Sequence, residues 1–314
     1  MKKIVRIEPF YEARMWGGGT RLKKEFHYHT EVKPLGEVYN VVALKHHADC
    51  RVPELGMTLS QLYETKPQWF CCDTEELPVR VNILDPVSDL SVQLHPDDEF
   101  AGRYNGGRGK PEAWVILDTP EDGQIEFGHK ADTIEEFRKK TEERDWDGLL
   151  KYLKAVKGGF IDIPAGTLHA IGKGVLTYNI SRNADCTLRL YDYDRIDPAT
   201  GELREIQQEE VYENVKIPDC STGFVLYPEA CERGIYVTRY WDEPGLYTLM
   251  CLRVERKGTF AHPRFAFYTC VEGEGSIQGV HICKGETILV PDGMGMLEFK
   301  GKMNLFLASY RNEK

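Results

Sequence analysis

The sequence predicts a mainly β chain built as two jelly-roll domains with a small helical insertion, and three patterns carry that expectation. Short runs rich in β-branched and aromatic residues, at 38–44, 79–84, 90–95, 113–117, 160–163, 175–180 and 187–193, are separated by Gly, Pro, Asp and Asn at the spacing of an antiparallel sandwich or barrel. After an interruption the pattern resumes, with strands expected at 247–254, 265–271, 287–290 and 304–309. The two stretches also echo one another: Gly159-Phe160-Ile161-Asp162-Ile163-Pro164-Ala165-Gly166 is answered by Gly285-Glu286-Thr287-Ile288-Leu289-Val290-Pro291-Asp292-Gly293, a strand closed by Pro-x-Gly in both.

Taken in chain order, Thr58 caps a short helix over 59–64, and Asp97-Asp98 after Pro96 caps another at Glu99 and Phe100. The clearest helical signal runs over 133–155. There Thr133 and Glu136 make a capping box and Leu149, Leu150 and Leu153 an apolar stripe, with Asp145-Trp146-Asp147-Gly148 breaking the run into two helices. A turn at Asp197-Pro198-Ala199-Thr200-Gly201 and a helix over 207–215 mark the expected boundary between domains 1–205 and 206–314. The echo separates the two chemically. The third residue after the closing glycine is His169 in the first copy and Met296 in the second, and Glu112, two residues before Trp114, has Ala266 as its counterpart before Tyr268.

A strand through Ser91-Val92-Gln93-Leu94-His95 places Ser91, Gln93 and His95 on one face and Val92 and Leu94 on the other. A polar inner face forfeits apolar burial and calls for a compensating partner. Gln93, His95, Glu112 and His169 together offer two imidazoles, a carboxylate and an amide oxygen, a plausible set of ligands for a divalent metal with a position open to substrate. The other histidines read as ordinary. His27 and His29 could share a strand face but sit among Lys, Glu and Tyr, while His46-His47, His129, His262 and His281 lack partners at ligand spacing.

The bulk numbers narrow the class. With 314 residues, 41% of them hydrophobic, the chain can bury a sizeable core, and no apolar run is long enough to cross a bilayer. The opening residues lack the apolar stretch of a signal peptide, so a cytoplasmic location is expected. Nine scattered cysteines with no Cys-x-x-Cys pair point to reduced thiols. A formal charge of −10 disfavours nucleic acid as a partner. An anionic small substrate would need local cations, for which Lys110, Arg182, Arg189 and Arg195 are candidates. Nothing in the pattern sets an oligomeric state.

Four motifs then point to a family. Ser91-Val92-Gln93-Leu94-His95-Pro96-Asp97-Asp98, Gly109-Lys110-Pro111-Glu112-Ala113-Trp114, Pro164-Ala165-Gly166-Thr167-Leu168-His169-Ala170 and Arg189-Leu190-Tyr191-Asp192-Tyr193-Asp194-Arg195 resemble the type I mannose-6-phosphate isomerases, especially the short bacterial form. Trp16-Gly17-Gly18 looks like that family's opening segment. The resemblance implies a cupin fold and one zinc ion per chain, held by Gln93, His95, Glu112 and His169. It also implies substrate contacts at Ser91 and Lys110, a catalytic Arg189, and interconversion of mannose 6-phosphate and fructose 6-phosphate through an enediolate.

Two positions depart from the family pattern. Ten residues before Arg189 the family usually carries a glutamate, whereas this chain has Asn179, whose amide cannot accept a proton. After Gly36-Glu37 the family usually has a small residue, then Trp and an acidic residue; here the chain reads Val38-Tyr39-Asn40. Lys110, Asp185 and a zinc-bound water are the remaining candidates for the base. Two further readings stay open: a non-catalytic sugar-phosphate-binding cupin, and an iron-dependent cupin oxygenase, since two histidines and a carboxylate also suit ferrous iron.

Overall fold

The structure, a computed structural model, describes residues 2–45, 47–197 and 200–313. His46 of the histidine pair, and Pro198 and Ala199 of the expected boundary turn, lie outside the described residues. As the sequence predicts, the molecule is mainly β. A six-stranded antiparallel sheet runs in the order Phe160–Ile163, Glu112–Asp118, Leu176–Arg182, Val79–Leu84, Leu35–Val41, Phe10–Ala13. A five-stranded sheet faces it, in the order Leu150–Lys154, Gln124–His129, His169–Ile171, Val92–Leu94, Leu188–Tyr191. A nine-stranded sheet centred on Ala266–Ile277 and Met296–Tyr310 takes most of the C-terminal third and recruits Val5–Ile7 against Thr287–Val290.

Strand alternation positions the site. In the six-stranded sheet Val79, Val81, Ile83, Tyr178 and Ile180 join a core shared with Phe267 and Phe306 of the C-terminal sheet, and Tyr178 stacks on Phe306 with centroids 4.3 Å apart. The intervening residues, Arg80, Asn82, Asn179 and Glu112, therefore face the other way, toward the five-stranded sheet. In that sheet Val92, Leu94, Leu188 and Leu190 fill a second core, leaving Gln93 and Arg189 on the facing side. At the N-terminal end Gly17 lets the chain pass the first residues of Leu35–Val41: a Cβ on it would lie 2.5 Å from the Gly36 nitrogen. Trp16 is thereby held against the cavity between the sheets.

Helices form where their caps predict. Thr58 and Gln61 make a reciprocal capping box on Leu59–Thr65, Asp97 caps Asp98–Asn105, and Thr133 caps Ile134–Glu142. The second half of the expected helical insertion differs. Trp146–Leu149 is one helical turn, and Leu150–Lys154 is a strand paired with Gln124–His129. The backbone groups along the edge of Gln124–His129 need partners, and that ladder outweighs the local helical pattern of the leucines. His27 and His29 do not share a strand: both are exposed in a non-strand segment, and His27 has φ 57°. Among the described residues no helix is long and apolar enough to cross a membrane, and the cysteines are free thiols.

Candidate metal centre

Three short-range features deliver the site's side chains. The strand Val92–Leu94 buries Val92 and Leu94 completely, which turns Ser91, Gln93 and His95 inward. Pro111 breaks the preceding loop so that Glu112 opens the strand Glu112–Asp118. Gly166, at φ 81°, closes the Pro164-Ala165-Gly166 turn that returns His169 into register beside Gln93.

His95, Glu112 and His169 converge, with candidate ligand atoms all within 4.8 Å of one another. His95 Nε2 lies 3.3 Å from Glu112 Oε2, and His169 Nε2 lies 3.6 Å from Glu112 Oε1. Each imidazole is oriented from behind: His95 Nδ1 is 2.9 Å from the Cys186 carbonyl and His169 Nδ1 is 2.9 Å from the Thr167 carbonyl. A carbonyl accepts only from N–H, so both rings carry their proton on Nδ1 and turn the Nε2 lone pair inward, the arrangement that orients metal-binding histidines. His169 Nε2 is buried with no partner of its own. Trp114 Nε1 donates to Glu112 Oε1 at 2.9 Å and the Asn179 amide donates to Oε2 at 3.1 Å, fixing the carboxylate plane. Two inward lone pairs, a fixed carboxylate and an orphaned buried nitrogen form a donor set that fits a divalent cation.

Burial penalises charge here, and the charges decide around it. Burial alone would raise the Glu112 carboxyl, but its surroundings, the Lys110 ammonium first among them, outweigh it and hold the group well below the carboxylate range. Burial, aided by the Lys110 ammonium, pushes His95 down; burial pushes His169 down to about 4 despite Glu112. The centre thus presents an ionised carboxylate and neutral imidazoles, the protonation states that ligands require. Lys110 Nζ sits 2.9 Å from Glu112 Oε2 and 3.2 Å from His95 Nε2.

Above the centre opens a cavity of about 210 Å³. Ser91, Gln93, Lys110 and Arg189, each singled out in the sequence, line it together with Glu112 and His169. Ser91 Oγ donates to Gln93 Oε1 at 3.0 Å, so that oxygen is oriented within the wall. Asp185 and Asn179 also border the cavity, whereas Arg182 pairs with Asp98 and Arg195 with Asp192 away from it. Sequence reading missed Arg14, Glu37, Arg80, Asn82 and Arg204, all in the wall. A signal existed for two of them: Arg80 and Asn82 alternate with Val79, Val81 and Ile83, the same period-two pattern that exposed Gln93 and His95.

Comparison with known proteins agrees with this geometry. Residues 4–114 match the family model for the phosphomannose isomerase type I catalytic domain. The chain is 35% identical over 306 residues to the mannose-6-phosphate isomerase ManA of Bacillus subtilis, covering 94% of this chain and 95% of that protein. It is 33% identical over 311 residues to the probable mannose-6-phosphate isomerase GmuF of the same organism, covering 96% and 98%. The crystal structure of the mannose 6-phosphate isomerase from Bacillus subtilis superposes with a TM-score of 0.92 at 28% identity, covering 98% of this chain and 99% of that one. In sequence along nearly its whole length and in fold, the chain belongs to the type I mannose-6-phosphate isomerase family.

Proposed function

We propose that the chain interconverts mannose 6-phosphate and fructose 6-phosphate as a zinc enzyme, moving a proton between C1 and C2 through an enediolate. The observation that carries this reading is the convergence of His95, Glu112 and His169 beneath a cavity bordered by basic side chains, in a chain of that family. Gln93, His95, Glu112 and His169 would hold the zinc, and Gln93 as a fourth protein donor departs from the two-histidine, one-carboxylate set of ferrous oxygenases. When bound, zinc supplies Lewis-acid stabilisation of negative charge on the substrate oxygens.

The protein side chains do the rest. Lys110, held between Glu112 and His95, is placed to orient a substrate oxygen, and Lys110 and Asp185 are the side chains of the cavity that remain candidates for the proton transfer. Arg189 contributes a permanently charged donor with its Nε unpartnered; burial and then Arg204 lower its pKa to about 10, still protonated at neutral pH. Ser91 acts through Gln93 at the cavity wall. In this reading the site-bearing unit extends to about residue 205, the remainder carries no metal ligands, and the enzyme works in the cytoplasm.

Asn179 favours one competing reading, a sugar-phosphate binder without turnover, because its amide occupies the position of the family's usual glutamate and is committed to Glu112. Metal analysis followed by a coupled assay on mannose 6-phosphate separates the two. Stoichiometric zinc with turnover supports the isomerase, and zinc with tight binding but no turnover supports the binder.

A further inference from the structure

The two sheets meet across the cavity as two facing rows. In the six-stranded sheet Glu112 stands opposite Ser181, and Ser181 opposite Arg80. In the five-stranded sheet His169 stands opposite Gln93, and Gln93 opposite Arg189. Each row begins at the metal centre and ends, two strands on, in an arginine. Neighbouring strands lie about 4.8 Å apart, so the backbone at Arg80 is about 10 Å from that at Glu112.

Arg80 is an anomaly as a structural residue. Its side chain is only 4% exposed, yet Nε and Nη2 have no hydrogen-bond partner. Its closest carboxylate, Asp185, is 3.9 Å away and largely exposed, beyond hydrogen-bond range. The Tyr39 ring covers one side of the guanidinium at 5.5 Å. A buried cation without hydrogen-bonding partners is expensive and persists where an anion completes it. Of the other wall cations, Arg14 is matched by Glu37 at 2.6 Å, Lys110 by Glu112 at 2.9 Å and Arg204 by Asp192 at 3.2 Å, while Arg189, whose Nε is also unpartnered, ends the opposite row. Beside Arg80 the cavity wall is polar, with Asn179 Oδ1 and Asn82 Oδ1 buried without partners.

We propose that Arg80 is the phosphate anchor: its free Nε and Nη2 donate to the dianionic group of a hexose phosphate whose reacting end lies at the metal centre, while the sugar hydroxyls fill the open capacity of Asn82 and Asn179. This rests on the isomerase reading for the identity of the sugar and on the row geometry for the position of the phosphate. A guanidinium suits the task because two of its N–H groups can meet two phosphate oxygens in one plane.

The test uses the zinc-loaded enzyme. Arg80→Gln is expected to raise KM for mannose 6-phosphate about tenfold or more while kcat changes by less than about threefold, because uniform binding is removed. Binding of inorganic phosphate, measured by titration calorimetry, should weaken by a similar factor, metal content should not change, and Arg80→Lys should recover part of the loss. The unfolding midpoint of Arg80→Gln should hold or rise, whereas a structural arginine would lower it and leave KM alone. Equal KM and equal phosphate affinity in wild type and Arg80→Gln would overturn the assignment. Phosphate binding that depends on Arg80 in a chain without turnover would sink the isomerase reading and leave the anchor standing.

Discussion

In the N-terminal half Glu112 stands opposite Ile163, one residue before Pro164; in the C-terminal half Ala266 stands opposite Val290, one residue before Pro291. Both turns close on a glycine in the left-handed region, Gly166 at φ 81° and Gly293 at φ 76°. The strand pair and turn are therefore the same device, used twice in the same register. What differs is the inward side chain. Glu112 and His169 meet at a polar centre, whereas Ala266 joins an apolar core with Tyr268, Val290 and Phe299, and Met296 stays 43% exposed on the surface. One copy gives up apolar burial to hold charge, and the other keeps the burial and supports the six-stranded sheet from behind through contacts such as Tyr178 on Phe306.

The largest effect is expected from making the first copy resemble the second. Glu112→Ala should abolish stoichiometric metal binding and lower turnover by about 10³-fold or more, as befits loss of a bound Lewis acid. His95→Ala should do the same, and metal analysis beside the coupled assay checks both. Arg189→Ala sharpens the comparison within the first half: metal content should stay intact while turnover falls by about 10²-fold, the scale of losing one charge-stabilising donor. Retained activity would remove Arg189 from the reaction.

The converse change, Ala266→Glu, puts a carboxylate into the apolar core of the C-terminal sheet. It should cost about 3–5 kcal/mol in urea unfolding and bring no metal uptake. A metal-binding variant would show that register alone makes the site.

The smallest effects are in pH. Burial pushes His262, in the C-terminal half, down to about 4. The unfolded chain protonates it at its ordinary value of 6.5, so the fold loses stability as pH falls from 6.5 toward 4. Burial pushes Glu126, in the N-terminal half, up to about 7 from its ordinary 4.5, and stability is lost as pH rises through that window. His262→Phe should flatten the acid side of a urea-midpoint profile and Glu126→Gln the neutral side; a profile unmoved by either would refute its assignment.

Local patterns in the chain carried much of this. The alternation at Ser91-Gln93-His95 announced an inward polar face because strand period is a property of the backbone itself. Thr58, Asp97 and Thr133 announced helix starts because a cap acts within three residues. Leu150–Lys154 escaped that reading: its strand exists through pairing with Gln124–His129 and has no local cause. Arg80 and Asn82 carried the same alternation, but what their polar face meets is set by the sheet packed opposite and not by the strand itself.

Sequence alone therefore determined the β class, the Pro-x-Gly turns and the identity of the groups able to hold a metal, since each depends on chemistry within a few residues. Tertiary structure decided that Val5–Ile7 would pair with Thr287–Val290 at the far end of the chain, and that Arg80 would share a row with Glu112. Such pairings depend on which edges and faces remain to be covered once the whole chain has collapsed, and no short stretch of residues encodes that.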